Sequence, residues 1–404
     1  MFNYLINTVQ RWDDRLIHRP AFQSIALAIQ QSIPILAIDI YCRLVFKLIL
    51  FPDALFANIL KKYPIFPDTI VDHARFILSN LDIAVAMVFV IGLTYHYLTA
   101  RGVKNTSLPI VTNFIATYIL LFQKDQLPTY ITIQYLLITI LTLLSCATYY
   151  WLHKHFSATT SPFNLKYLLW SIIIISFNVM LHPIIQWPRL QTMFATLLSQ
   201  NFFTSFLGLL LIAILAPFLF VLGFSIPPEL TNNQTTLNTV ISNLDAMLTH
   251  SISTLPFPEN LYSIYGSFTL FGGIGNTLAL NLLLLFAASK KYRRLAILAW
   301  LPSLFDNNFL LYAGIPIFLR PLMLIPMLLI NIIGTLIAYL AVFLHFTQPV
   351  VFITPSGMPN VLLPTLASST PIQSTIIAIL IFCLSLLIYY PFTKRLMIEV
   401  PNEK

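Results

Sequence analysis

The chain has 404 residues, of which 58% are hydrophobic and only 9% charged, with a mean hydropathy of +0.82. A soluble globular domain carries about a quarter charged residues to cover its surface, so this composition excludes one and points to lipid as the solvent. The formal charge of +8 lies largely in short segments between apolar runs, as cytoplasmic loops require, rather than in the exposed basic stripe of a nucleic-acid binder.

The first 20 residues are too polar and too charged for a cleavable secretory signal. With Arg11, Arg15 and Arg19 spaced along it, segment 1–23 reads as a cytoplasmic or interfacial helix. Apolar runs long enough to cross a bilayer follow at 24–51, bent at Pro34, and at 83–99. The run 108–122 is short, and those at 131–151, 167–187 and 202–224 are clear spans. They must be helical, because lipid offers no partner to an unpaired backbone group.

Beyond residue 225 the texture changes. Leu237, Val240, Ile241, Leu244, Met247 and Leu248 recur at helical spacing within the polar stretch 226–260, which predicts a one-sided surface helix. Gly266 and FGGIGN break the apolar run 261–288. Pro302, DNN, Gly314 and Pro316 break the run 296–319. Such interruptions at membrane depth are tolerated only inside protein or beside a wet cavity, which predicts re-entrant hairpins over about 261–320. A plain span at 322–346, a Pro-rich loop and a last span at 374–392 complete the chain. The basic N-terminal arm, KKYRR at 290–294 and the TKR after the last span place both termini on the cytoplasmic side. The expected fold class is an all-α polytopic membrane protein of about ten transmembrane helices plus re-entrant hairpins.

The candidate chemistry lies in the broken segments. FGGIGNTLAL (271–280) places three glycines, Asn276 and Thr277 in an apolar setting. They read either as a substrate site with exposed backbone or as close helix packing by small residues. SLFDNN (303–308) sets Asp306, Asn307 and Asn308 together, and these need partners or water in a membrane. The bland reading is a satisfied polar turn. Asp39, Arg43 and Lys47 share one helix face, either as a charge relay or as an internal ion pair with Lys47 reaching for the rim. His182 precedes Pro183 with nothing in the sequence to pair it. Cys42, Cys146 and Cys383 sit singly in apolar runs, which predicts neither a disulfide nor a metal site. No phosphate-cradling loop is present, and no cofactor is expected.

The stretch KKYRRLAILAWLPSLFDNNFLLYAGIPIFLRPLMLIPML (290–328) resembles the signature region of the membrane IIC component of bacterial phosphotransferase-system sugar permeases, of the lactose/cellobiose type. Pro302, Phe305, Asn308, Gly314, Pro316, Pro321 and Pro326 fall where that family has a Pro, then its Phe-Asn-x-Asn-Glu-Pro turn and the Phe-Gly-x-Pro, Asn-Pro and Ile-Pro segments after it. FGGIGNTLAL is similar to its Gly-Gly-x-Gly-x-Thr-Leu segment, and ITPSGMP with LLIYYPFTK (386–394) to its C-terminal region. HRPAFQSIALAIQQSIPIL (18–36) is a looser echo of its first helix. The similarity is specific over about 220–395 and architectural over 24–190.

The resemblance implies a scaffold and dimer-interface part at 24–190 and a substrate-transport part at 200–404, in a homodimer within the bacterial cell membrane. It implies a sugar substrate, a disaccharide in the leading reading, and cytoplasmic IIA and IIB partners. Gly272, Gly273, Gly275, Asn276, Thr277, Asp306, Asn307, Asn308 and Ser225 are the expected substrate-site residues, with amides and freed backbone groups for sugar hydroxyls. The departures bear on chemistry. The family's signature Glu falls on Phe309, and the His of its Gly-Ile-His-Gly motif on Ser225. Neither can take a hydroxyl proton as that pair would, so no catalytic residue is expected. Arg320 also stands where the family has Asn. Two rivals remain at this level: a non-transporting membrane protein that kept the fold, and an ion-coupled transporter using Asp306 or Asp39.

Overall fold

The computed structural model describes residues 11, 13, 15–50, 54–60, 66–122, 135–185, 196–222, 237–249, 255–287, 289–315, 320–355 and 357–398. Among these the chain is helical, and Val350 and Ser368 form an isolated β-bridge. Five helices are long and apolar enough to cross a membrane, and two shorter ones, Ser107–Leu121 and Phe206–Val221, are equally apolar in character. The chain divides into two compact units.

The first unit holds Met1–Asp39 and Asp68–Pro188. It contains most of α1 (Pro20–Val45), then α2 (Asp68–Ala100), α3 (Ser107–Leu121), α4 (Tyr135–His155) and α5 (Leu165–Ile185). The short run 108–122 is therefore a helix, and its polar residues explain how it is held. Asn113, 2% exposed, donates from Nδ2 to Thr94 Oγ1 (3.0 Å) and accepts from Ser145 Oγ (2.6 Å), tying α3 to α2 and α4. Thr112 Oγ1 meets Ser171 Oγ at 2.9 Å, adding α5. Interhelical bonds of this kind hold membrane helices where no hydrophobic effect separates core from lipid. Tyr149, Tyr167 and Trp170 pack as an aromatic cluster, with ring centroids 5.0–5.3 Å apart. His182 Nδ1 lies 3.2 Å from the Leu120 carbonyl, the partner that its sequence position did not reveal. The outward faces are apolar, with Ile173 and Met180 among the exposed residues of α5.

The second unit holds Ile40–Pro67, Arg189–Leu222 and Ile226–Lys404. The end of α1 runs into a π-helical turn, Phe46–Leu50. Next come α6 (Phe206–Val221) and the amphipathic α7 (Asn238–Thr249) expected from its spacing. Asn243 anchors α7 through a reciprocal pair with the Phe257 backbone, at 2.5 and 2.9 Å. The broken run 261–288 becomes a π-helix Leu261–Gly266, a short turn Ser267–Thr269, the loop 270–276 and α8 (Thr277–Leu285). Asn260 caps its start, accepting from Tyr262 N and Ser263 N, while Ser263 Oγ accepts from Asn260 N. The second broken run becomes α9 (Lys290–Leu304) and α10 (Phe309–Gly314), split at DNN. The long helices α11 (Pro321–Phe343) and α12 (Pro371–Ile398) flank these pieces, and a short helix Leu363–Ala367 lies before α12. Breaks fall at FGGIGN and at DNN as expected, whereas Gly266 sits where the π-helix runs straight on into Ser267–Thr269 and Pro302 is accommodated inside α9.

Candidate functional site

The loop between Leu270 and α8 turns on left-handed backbone. Gly272, Gly273, Gly275 and Asn276 have φ of 76°, 103°, 80° and 51°. Glycine is required at Gly272, where a Cβ would lie 2.6 Å from Leu278 N, and at Gly275, where it would strike the Met327 side chain at 2.8 Å. The loop's carbonyls at Phe271, Gly273 and Gly275 are taken up inside the protein. Phe271 O accepts from Leu278 N (3.1 Å), Gly273 O from Asn276 N (3.2 Å) and Gly275 O from Tyr389 OH (2.7 Å).

The second break packs onto the first. α9 ends at Pro302–Leu304, where Asn307 N and Phe305 N both donate to Pro302 O, and Asp306 takes φ 65°. Asp306 is 9% exposed, and its carboxylate joins separate segments. Oδ1 accepts from Gly272 N at 2.8 Å and Oδ2 from Asn360 N at 2.7 Å. The Asn360 side chain completes the clasp by donating to Leu270 O at 3.2 Å. Lys47, in the π-helical turn, lies near enough for its charge to act on this carboxylate. The sequence readings for Lys47, a relay or a rim-seeking side chain, both missed this neighbour 259 positions along the chain, an arrangement only the fold creates.

Asn308 is the second junction. Its amide donates to Gly272 O and to Thr277 Oγ1 and accepts from Ser303 Oγ. Asn281 Nδ2 then donates to Ser303 Oγ at 2.8 Å, and Thr277 Oγ1 meets Tyr312 OH at 2.9 Å. Gly272, Thr277, Asn308 and Asp306 are thus brought together, with their polar groups engaged inside the protein. Asn276 is also buried, donating to Ser385 Oγ at 2.7 Å, and its amide oxygen has no partner among the described residues. Gly273 and Asn307 differ, being half-buried at the surface of the cluster. Ser225 lies outside the described residues.

Sequence reasoning missed Asn281, Ser303, Tyr312, Asn360, Ser385 and Tyr389. Asn360 carried the only usable signal, as a lone amide in the Pro-rich stretch after Pro359. Phe309, at the position of the family Glu, is 47% exposed and packs edge-on to Tyr312 at 6.3 Å.

No family model matches the chain. It is 30% identical over 181 residues to the galactose-specific EIIC component of the phosphotransferase system of Lactococcus lactis subsp. cremoris (strain MG1363), covering 43% of this chain and 39% of that one. It is 29% identical over 129 residues to the cellobiose-specific EIIC component of Lactococcus lactis subsp. lactis (strain IL1403), covering 32% and 26%. The lichenan permease IIC component of Bacillus subtilis (strain 168) matches at 28% over 140 residues, covering 34% and 30%. The chain thus spans less than half the length of the curated relatives it matches. Among solved structures it is similar to the crystal structure of the transporter ChbC, the IIC component from the N,N'-diacetylchitobiose-specific phosphotransferase system. That match has a TM-score of 0.45, 20% identity and 98% coverage of both chains. The sequence matches, together with the apolar helices, identify the chain as a helical membrane protein resembling the IIC components of bacterial phosphotransferase systems.

Proposed function

We propose that the chain is a sugar permease of the phosphotransferase IIC type in the bacterial cell membrane, binding a disaccharide at the junction of the two broken helices. The observation that carries this reading is that junction itself. Two helical breaks meet within one unit around Asp306 and Asn308, in a chain similar to components named for cellobiose, galactose and lichenan. Broken helices within a membrane supply polar backbone where an intact helix would present only side chains. Gly273 and Asn307, at the surface of the cluster, are positioned to meet sugar hydroxyls. The buried Gly272, Gly275, Asn276, Thr277, Asp306 and Asn308 shape the same wall from behind.

The part 24–190 is the scaffold of a homodimer in this reading, and both termini face the cytoplasm, where IIA and IIB partners would dock. Phe309 has no group that can take a proton, so this chain binds and moves its sugar without assisting phosphorylation from that position. Counterflow of labelled disaccharide into proteoliposomes preloaded with the unlabelled sugar tests the reading. Transient accumulation above equilibrium is expected. Accumulation no greater than in protein-free liposomes, for every disaccharide in a panel, would refute it.

A further inference from the structure

The segment 357–362 was legible in the sequence only as part of a Pro-rich loop, yet it is fastened to the cluster at two points. Asn360 N donates to one oxygen of Asp306, whose other oxygen holds Gly272 N, and Asn360 Nδ2 donates to Leu270 O. The fastening leaves one group over. The amide oxygen of Asn360, a half-buried residue, has no partner among the described residues. Next to Asp306 in the chain, Asn307 accepts from Phe309 N through its Oδ1 at 3.4 Å, and its Nδ2 has no partner among the described residues. An acceptor and a donor therefore belong to residues tied to one buried carboxylate, Asn360 by its hydrogen bond and Asn307 by the chain. Phe309, exposed beside Asn307, adds an apolar ring.

Resting on the permease reading, we propose that Asn360 is a sugar-contacting residue. Segment 357–362 would form a third wall of the site, with Asp306 as the positioning residue that holds it. A polyol suits this pair, because each hydroxyl can donate to Asn360 Oδ1 or accept from Asn307 Nδ2. The exposed Phe309 ring suits the apolar C–H face of a pyranose. Asp306 touches no sugar in this arrangement, since it is only 9% exposed and its oxygens are turned to the backbone N–H groups of Gly272 and Asn360.

The experiment combines sugar binding with amide hydrogen exchange on the full chain in detergent. Asn360→Ala should weaken the bound disaccharide by about tenfold, the loss of roughly one hydrogen bond. Asn360→Gln keeps an amide acceptor and brings no charge to Leu270 O or to Asp306, so it should restore part of that affinity. Asp306→Asn should speed exchange in 268–276 and 357–363 together. Wild-type affinity in Asn360→Ala, or equal loss in Asn360→Gln, would overturn the contact. Unchanged exchange at 357–363 in Asp306→Asn would overturn the positioning role. If wild-type protein binds no sugar, the permease reading falls and the Asn360 contact with it, while the exchange result still judges the clasp alone.

Discussion

Asn308→Ala should destabilise the second unit rather than merely weaken a ligand. The wild-type amide makes three hydrogen bonds, to Ser303 Oγ, Gly272 O and Thr277 Oγ1, in a residue that is 2% exposed. Truncation strands groups unequally. Gly272 O keeps the Thr277 hydroxyl at 3.0 Å, and Thr277 keeps Tyr312 OH. Ser303 still accepts from Asn281 but loses the oxygen to which it donates. One stranded buried donor, with two weakened acceptors and a small cavity, amounts to about 2–4 kcal/mol. Asn308→Asp should be worse, because it sets a carboxylate oxygen against Gly272 O. Equilibrium unfolding in detergent, followed by tryptophan fluorescence, reads both variants against Asn307→Ala, which should stay within about 0.5 kcal/mol of wild type. A cost for Asn308→Ala as small as that of Asn307→Ala would refute the junction and return Asn308 to the surface of the site.

Two glycines with nearly equal backbone separate strain from space. Gly102 (φ 79°) has nothing within 4 Å of an added Cβ, so Gly102→Ala should cost only the left-handed penalty of about 1–2 kcal/mol. Gly272→Ala adds a contact of 2.6 Å with the Leu278 backbone and should abolish monodisperse protein in size-exclusion chromatography. In the first unit, Asn113→Ala removes the partner of Thr94, Ser145 and the Cys146 thiol, and should lower stability by about 1–2 kcal/mol in the same unfolding assay. An unaltered midpoint would show that α3 is held by packing alone. Gly208→Ala would bring a Cβ to 2.1 Å from Phe202 O and should markedly lower the yield of folded protein.

Much of the fold was legible because lipid forces long apolar runs into helices, and interruptions must then mean something. The glycines of FGGIGN and the DNN turn marked the breaks at 270–276 and 305–308 for that reason. The site was legible only in part. Asp306 and Asn308 were visible as polar residues in apolar sequence, but their partners lie far along the chain. Asn360 N is 54 positions from Asp306, and Gly272 is 34. Periodicity reports a helix's own faces and carries no record of which distant backbone N–H will arrive there. The same blindness hid Ser385 and Tyr389, ordinary residues of the last span until the loop at 275–276 packs against them. It also left the polar character of Asn307 and Asn308 undivided, although one remains at the surface and the other is buried.

The central claim is that this cluster binds sugar, and equilibrium binding of labelled mono- and disaccharides to the detergent-purified protein tests it most directly. The account predicts saturable binding of one sugar, weakened in Asn307→Ala without loss of folded protein. Absence of binding across the panel, from a monodisperse and folded sample, would contradict it.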